Sequence, residues 1–451
     1  MITTIEKDYL EEVRDLLHEH GFQGIRYYIK GEKVSIVNVD MNEIDYVEKS
    51  EELLCFAEGG KAGKKCCTYF NLFSDKAGIL KRMEDSAKAA NSEYVYNPIK
   101  DKDTSLGYEA NGGQEECTNI SEVLKKLKDA EAAAYEVESV YYINKCEYKE
   151  YKEEILMIDD SGNIVLDSSG YCSGTIGIVA EKNGDKNIAS EYVFGDDLSA
   201  LDLKKMARNA GRKAVQGLGG KALPSGKYKA IIQNSVMAEI LEGFLPIFYG
   251  DYVQDGISKF KDSIGKRVAN TTIDFIEDPF YKGGRTRRYI DDEGNKVQRK
   301  YIIEKGVLKN ILYNNDSAKK ANIISTGNGF KSSISSEVGV NITNVLLCGS
   351  EITPIVSLYD EITNGVVVTS VDGVFAGVNI NNGDFSLIAK GNLIYDSELK
   401  DAFSDVTISG NIYEVLNNIL LLGDDLASAP PYCASVISPS VLVNEITISG
   451  S

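Results

Sequence analysis

Residues 295–315 read NKVQRKYIIEKGVLKNILYNN. Two runs rich in Tyr, Ile, Val and Leu flank Lys305-Gly306, and a short glycine-containing link between such runs marks an antiparallel hairpin. Strands joined this tightly are not the parallel pair of a βαβ unit, which needs a crossover of a dozen residues or more. Around the hairpin, strands and helices follow one another in mixed order without a βαβ rhythm, so an α+β fold is expected.

Downstream, NGVVVTSV (364–371), DFSLIAKGNLIYDSEL (384–399) and DVTISG (405–410) read as strands, and GNIYEVLNNILLLG (410–423) as a helix. Upstream, KYKAIIQ (227–233) reads as a strand and NSVMAEILEGFL (234–245) as a helix capped by Asn234 or Ser235. GLGGKALPSGK (217–227) is the best linker, because proline is sparse elsewhere, with 8 in the chain. At 451 residues the chain exceeds what one core usually supports. Two domains are therefore expected, 1–220 and 226–451, the second richer in strands.

In the first, TTIEKDYLEEVRDLLHEHG (3–21) reads as an amphipathic helix, and GIRYYIK-GEK-VSIVNVD (24–40) as a hairpin-like strand pair. SDKAGILKRMEDSAKAAN (74–91) and NISEVLKKLKDAEAAAYEV (119–137) are helices opened by Ser74 and Asn119, and LSALDLKKMARNAGRKAVQGLGG (198–220) is one long helix. Between them an antiparallel sheet turns at Gly162-Asn163 and Asn183-Gly184.

Composition excludes several functions. A net charge of −19 is repelled by a phosphate backbone and by anionic lipid, so neither nucleic acid nor a membrane surface is an expected partner. No apolar run reaches the roughly 18 residues of a bilayer span. The N-terminus lacks a basic region followed by an apolar core, and eight scattered cysteines without a C-x-x-C suit reduced thiols in a cytoplasm. Only His18 and His20 could serve as histidine base or ligand, and two residues apart on a helix they cannot chelate one ion. GKALPSGK (220–227) misses the P-loop by one residue between its glycines and by Tyr228 in the Ser/Thr position. Asp159-Asp160, Asp291-Asp292-Glu293 and Asp424-Asp425 lack calcium-loop spacing and read as turns and solvated loops.

From about residue 190 onward the chain resembles the TldD/PmbA family, also called modulator of DNA gyrase. The stretches that carry this are LPSGKYKAII, YIDDEGNKVQRKYIIEKGVLKNILYN, AKKANIISTGNG, NNGDFSLIAKGNLIYDSELK, DVTISGNIYEVLNNILLLGDDL and the closing VLVNEITISG. The resemblance implies a cytoplasmic peptidase of two related subunits. One carries zinc on a helix with a His-Glu-x-x-x-His pattern plus a distant cysteine; the other has the fold without the ligands. Counting back from Gly250-Asp251, the family's helix falls on ILEGFLPIFYGD (240–251). Leu241 and Pro246 then stand in the histidine positions and Glu242 in that of the general-base glutamate. Leucine and proline offer zinc nothing, and Cys433 would be one thiolate alone. The expectation is an emptied site: no metal in this chain, no catalytic residue beyond a vestigial Glu242, and zinc only in a TldD-like partner.

The resemblance thus implies a PmbA/TldE-like subunit that pairs with a TldD-like chain, or with itself, around an unfolded peptide. The alternative is a self-associating peptide-binding protein with no catalytic partner. The peptide neighbourhood is placed at NNGDFSLIAKG (381–391), where Gly383 allows close backbone approach, Asp384 ties the turn, Phe385 and Leu387 share a face and Ser386 lies between them. A subunit interface is expected around Ile408, Ile412, Val415, Ile419 and Leu420.

Overall fold

The computed structural model describes residues 7–72, 74–99, 119–429 and 435–450, so Cys433 lies outside the described residues. The architecture is mixed α+β. α1 (Lys7–Glu19) leads into β1 (Gln23–Asp40), β2 (Glu43–Lys61) and β3 (Lys64–Phe70). After α2 (Lys76–Ala89) and α3 (Ile120–Tyr135) come β4 (Val140–Asp159), β5 (Ile164–Lys182), β6 (Asp185–Gly195) and α4 (Leu203–Gln216). The six strands form one antiparallel sheet, ordered β3-β2-β1-β4-β5-β6. Along β1, Ile25, Tyr27, Ile29, Val37 and Val39 point to the face that all four helices cover. Tyr28, with Phe56, Ile155 and Met157, points the other way, against Ile290 of the second half.

β1 corrects the expected strand pair at 24–40. Gly31 does not turn; it pairs with Leu53 on one side and Glu154 on the other, so the strand runs through it. The turn comes at Met41-Asn42, both at positive φ (50° and 62°). The expected helix over 198–220 is broken as well. Residues 198–200 form a 3-10 turn capped by Asp197, and Asp202 then accepts the Lys205 N–H at 3.0 Å to start α4 afresh. Asn119 caps α3 as expected, whereas α2 is capped by Asp75 rather than Ser74.

β7 (Gly226–Ile232) opens the second half and leads into α5 (Asn234–Phe244). β7 pairs in parallel with Asn364–Asp372 and antiparallel with Val441–Ser449. Asp384–Tyr395 and Glu398–Asn411 continue from the first of these strands back to the second, which closes a ring of five strands. A second sheet runs Val307–Leu308, Lys300–Glu304, Ile273–Glu277, Asn344–Gly349, Ser435–Ser438, Ala427–Ser428. The hairpin turns at Lys305-Gly306 (φ 48° and 75°), where a side chain on Gly306 would meet the Ala269 carbonyl. Among the described residues no strand of the N-terminal sheet comes from beyond residue 195, and none of the other sheets from before residue 226.

The expected helix 410–423 stops at Asn418, and Ile419–Gly423 is a strand paired with Val441–Val443. Its unbroken apolar run is compatible with either state, and the available neighbour strand decides it. Ile408, Ile412, Val415 and Ile419 are therefore core, leaving only Leu420 (40% exposed) of the five proposed interface residues at the surface.

Of the acidic clusters only Asp424 is exposed. Asp159 and Asp291 are buried and occupy the same place in two copies of one turn, DDSGN (159–163) and DDEGN (291–295). Each accepts the N–H groups of residues two and four further on, and each is bonded by the side chain of the asparagine at the fourth. Asp425 likewise accepts from Ser440 and Asn234. Backbone donors in tight turns make a buried carboxylate tolerable where water would otherwise be needed.

Candidate functional site

α5 follows β7 after a single residue and drives into the core. Val236, Met237, Ala238, Ile240, Leu241 and Phe244 are buried on it. A helix apolar on nearly every side must be covered on every side. Neither Asn234 nor Ser235 caps it. Gln233 occupies that position without a side-chain capping bond, and the Asn234 amide donates instead to the Asp425 carbonyl at 2.6 Å. Gly243 lets the segment Val374–Gly377 approach; a side chain there would lie 2.7 Å from Val374. Past Phe244 the chain tightens into a 3-10 turn, Leu245–Phe248, with Pro246 at its start. Gly250 then packs under the Tyr313 ring, 2.2 Å from where its Cβ would be, and donates its N–H to the Leu312 carbonyl at 2.7 Å.

Leu241 is core and Pro246 half-buried. Glu242 is buried at 4% exposure. One turn earlier, Glu239 is half-buried, and Asp372 ends the neighbouring strand. Burial, then Asp372, then Glu242 push the Glu239 carboxyl up to about 7. Sequence reading missed Glu239, although its i, i+3 spacing to Glu242 on a predicted helix is a signal; Asp372, far away in the chain, leaves none. The arrangement can hold and exchange a proton near neutral pH. Without an imidazole or thiolate beside them these carboxylates make a poor zinc site, since zinc sites combine carboxylate oxygen with such donors. Among the described residues no three His, Cys, Asp or Glu side chains are grouped to hold a metal. His18 and His20 sit on α1, where His18 bonds Asp160 and the Phe22 carbonyl, and His20 bonds the Leu16 carbonyl.

The raised Glu239 pKa has a sign that can be measured. Folding then favours its protonated form, so stability is lost as pH rises from the ordinary carboxylate range through about 7. Glu239→Gln should therefore be nearly neutral at pH 5 and stabilising by about 1 kcal/mol at pH 8.5, a figure reduced for solvent screening of a partly exposed group. Urea unfolding of both proteins at the two pH values checks it.

The residues proposed for the peptide neighbourhood, 383–386, form the turn and first residues of the strand Asp384–Tyr395. Gly383 is at φ 83°, but the space its missing side chain leaves is filled by the Tyr413 ring. Asp384 ties the turn as expected, accepting from the side chains of Asn382 at 2.6 Å and Asn411 at 2.7 Å. Phe385 and Leu387 share the inward face, and Phe385 meets Phe244 of α5 edge-on with ring centroids 6.4 Å apart. Asp384, Ser386 and Ile388 point outward. The strand has no vacant edge at Phe385, which pairs with Gly410 on one side and Val378 on the other. The edge is therefore closed to an added strand at that point, and the outward face is the exposed one.

This fold, with a buried Glu242 on a helix between β7 and a Gly-Asp, can be set beside known proteins. Residues 225–450 match the PmbA/TldA metallopeptidase C-terminal domain, and residues 114–218 the PmbA/TldA metallopeptidase central domain. The chain belongs to the PmbA/TldD family. Metalloprotease PmbA of Escherichia coli O157:H7 is 27% identical over 286 residues, 62% of this chain and 60% of its own length. A metalloprotease PmbA homolog of Buchnera aphidicola is 28% identical over 290 residues, 64% and 61% of the two chains. The match therefore spans about three fifths of these relatives. In fold the chain is similar to a modulator of a DNA gyrase from Thermotoga maritima (TM-score 0.84, 23% identical, 98% of this chain and 100% of that one). It is equally similar to TldE from Thermococcus kodakarensis (TM-score 0.84, 20% identical, with the same coverage). Among the described residues no helix is long and apolar enough to cross a membrane.

Proposed function

We propose that this chain is a PmbA/TldE-like subunit of a cytoplasmic TldD/TldE-type metallopeptidase. In this reading it is the partner that helps shape the groove for an unfolded peptide, and zinc is held by a TldD-like chain. The observation that carries the reading is the side-chain set of α5 and the turn after it: Leu241 and Pro246 stand in the register of the two histidines, and Glu242 is buried on the same helix. Glu242 is then a vestigial general base. Asp384 and Ser386 offer polar groups to the peptide from a strand whose inward residue, Phe385, is fixed against α5. The family match and the fold support the peptidase setting; the division of labour rests on the donor set.

Two measurements test it. Elemental analysis of the pure chain should give well under one zinc per chain, with no cleavage of unfolded peptides. A stoichiometric, chelator-removable zinc whose loss abolishes cleavage would sink the proposal. Co-expression with a chain carrying His-Glu-x-x-x-His should yield a stable complex that cleaves peptides. Peptide binding by a homo-oligomer that ignores such a chain would instead favour the self-associating binding protein.

A further inference from the structure

A cavity of about 200 Å3 opens where the two halves meet. β1 supplies Arg26 and Tyr28, β2 supplies Phe56 and Glu58, β3 supplies Lys65, and Lys331 enters from the other half. The enclosed charges do not balance. Arg26 and Lys65 share Glu58, at 3.9 and 3.6 Å, and the only other carboxylate within reach of Lys65 among the described residues is the exposed Glu337, at 4.0 Å. Lys331 has no carboxylate within ion-pair distance among the described residues. Its ammonium donates to the Ser336 carbonyl at 2.5 Å and lies 4.2 Å from the centroid of the Phe56 ring. Asp292, which lines the same wall, is already engaged by Arg288 and by the Tyr28 hydroxyl. Burial, then Asp291, push the Glu293 carboxyl up to about 8, so at neutral pH it adds little negative charge. The other acids around the opening, Glu93, Asp316 and Glu337, are exposed.

In a chain of net charge −19, the inside of this cavity is therefore short of negative charge. Burial lowers the proton affinity of Lys331 in spite of Glu58 and Asp292, as expected for an ammonium that lacks a close counter-ion. A lysine has three donors, and the Ser336 carbonyl takes one. The shortfall matches a single negative charge; a dianionic phosphate would meet Glu58 and the acidic rim. The aromatic walls suit an apolar body, and the volume, below the roughly 300 Å3 of common ligand pockets, limits that body to about one amino-acid side chain.

We propose that this cavity binds a small monoanionic carboxylate on an apolar body, with the carboxylate at Lys331, flanked by Arg26 and Lys65, and the body against Tyr28 and Phe56. The inference does not depend on the peptidase reading. Two sources offer this chemistry, a free acylated amino acid and the C-terminus of a peptide.

Titration calorimetry on the full chain at pH 7 separates the outcomes. The probes are N-acetyl-leucine and acetyl-Ala-Ala-Leu, each as the free acid and as the C-terminal amide. Saturable binding of at least one acid is expected, with its amide weaker by about tenfold or more, the usual worth of a charge-assisted hydrogen bond. Lys331→Met should weaken acid binding by a similar factor. Should that variant fail to fold, Lys65→Met, on a side chain 29% exposed, should still weaken acid binding several-fold. Binding of the peptide acid alone identifies chain ends as the ligand, and binding of the acetylated amino acid alone identifies free acids; both uphold the site. Equal binding of acids and amides, no saturation by about 10 mM, or unchanged affinity in the folded lysine variants would overturn it.

Discussion

Arg288→Met should lower the unfolding free energy by about 3–5 kcal/mol, the usual cost of removing one partner from a buried ion pair. The Arg288 side chain is 6% exposed and spans the join between the halves. Its Nε donates to Asp167 of β5 at 3.2 Å, one terminal nitrogen donates to Asp292 at 2.6 Å, and the other lies 3.8 Å from Glu153 of β4. Burial already raises the Asp167 pKa despite the guanidinium. Methionine would keep much of the packing against Phe330 but leave two carboxylates in the dark without a counter-charge. The deficit should be larger at pH 8 than at pH 5, where those carboxylates can take up protons. Adding Asp167→Asn and Asp292→Asn should recover most of it, because the damage lies in the uncompensated charge. Denaturant unfolding of the three proteins at both pH values decides the matter; an equal loss at both, unrelieved by the asparagines, would assign the effect to packing.

The second large effect is expected in the five-stranded ring. Gly391 sits where the register of its strand slips against Glu398–Asn411, and a methyl group there would fall 1.8 Å from the Val367 carbonyl oxygen and 2.7 Å from the Phe403 ring. Backbone and a buried ring must both move, so Gly391→Ala should destabilise by roughly 3 kcal/mol or more. Gly339→Ala is the control, because nothing lies within 4 Å of its added carbon; it should change stability by less than about 0.5 kcal/mol. Thermal unfolding followed by circular dichroism compares them. A Gly391→Ala protein as stable as the control would mean the ring is looser than its geometry implies.

These effects lie in parts of the molecule that local sequence describes unevenly. Turns that need positive φ announce themselves: Asn183-Gly184 and Lys305-Gly306 were both legible, because few residues tolerate that backbone. Gly31 misled for the converse reason, being a glycine in extended backbone between two partner strands. The first half of β2 left no trace, since residues 43–52 are exposed throughout and show no alternation to read. The acids at 159 and 291 read as solvated because their partners are backbone N–H groups, which composition does not display. Repetition of the pattern D-D-x-G-N in the two halves was the available signal. In the candidate site, Glu242, Leu241 and Pro246 were placed by one local stretch and its family resemblance. The carboxylate opposite, Asp372, is brought there only by the strand pairing of the ring.

That ring also constrains how the chain can be made. β7, early in its half, is held between residues 366–368 and 441–448, partners more than a hundred residues away. A nascent chain that has just emitted β7 and α5 has an unpaired strand edge and an apolar helix, and nothing yet to cover either. Closure waits for the strand that ends at Ser449, so this half cannot complete itself segment by segment during synthesis. That strand, Val441–Ser449, acts as the latch of the folding reaction, and a chain interrupted before it would be left as a sticky, open intermediate.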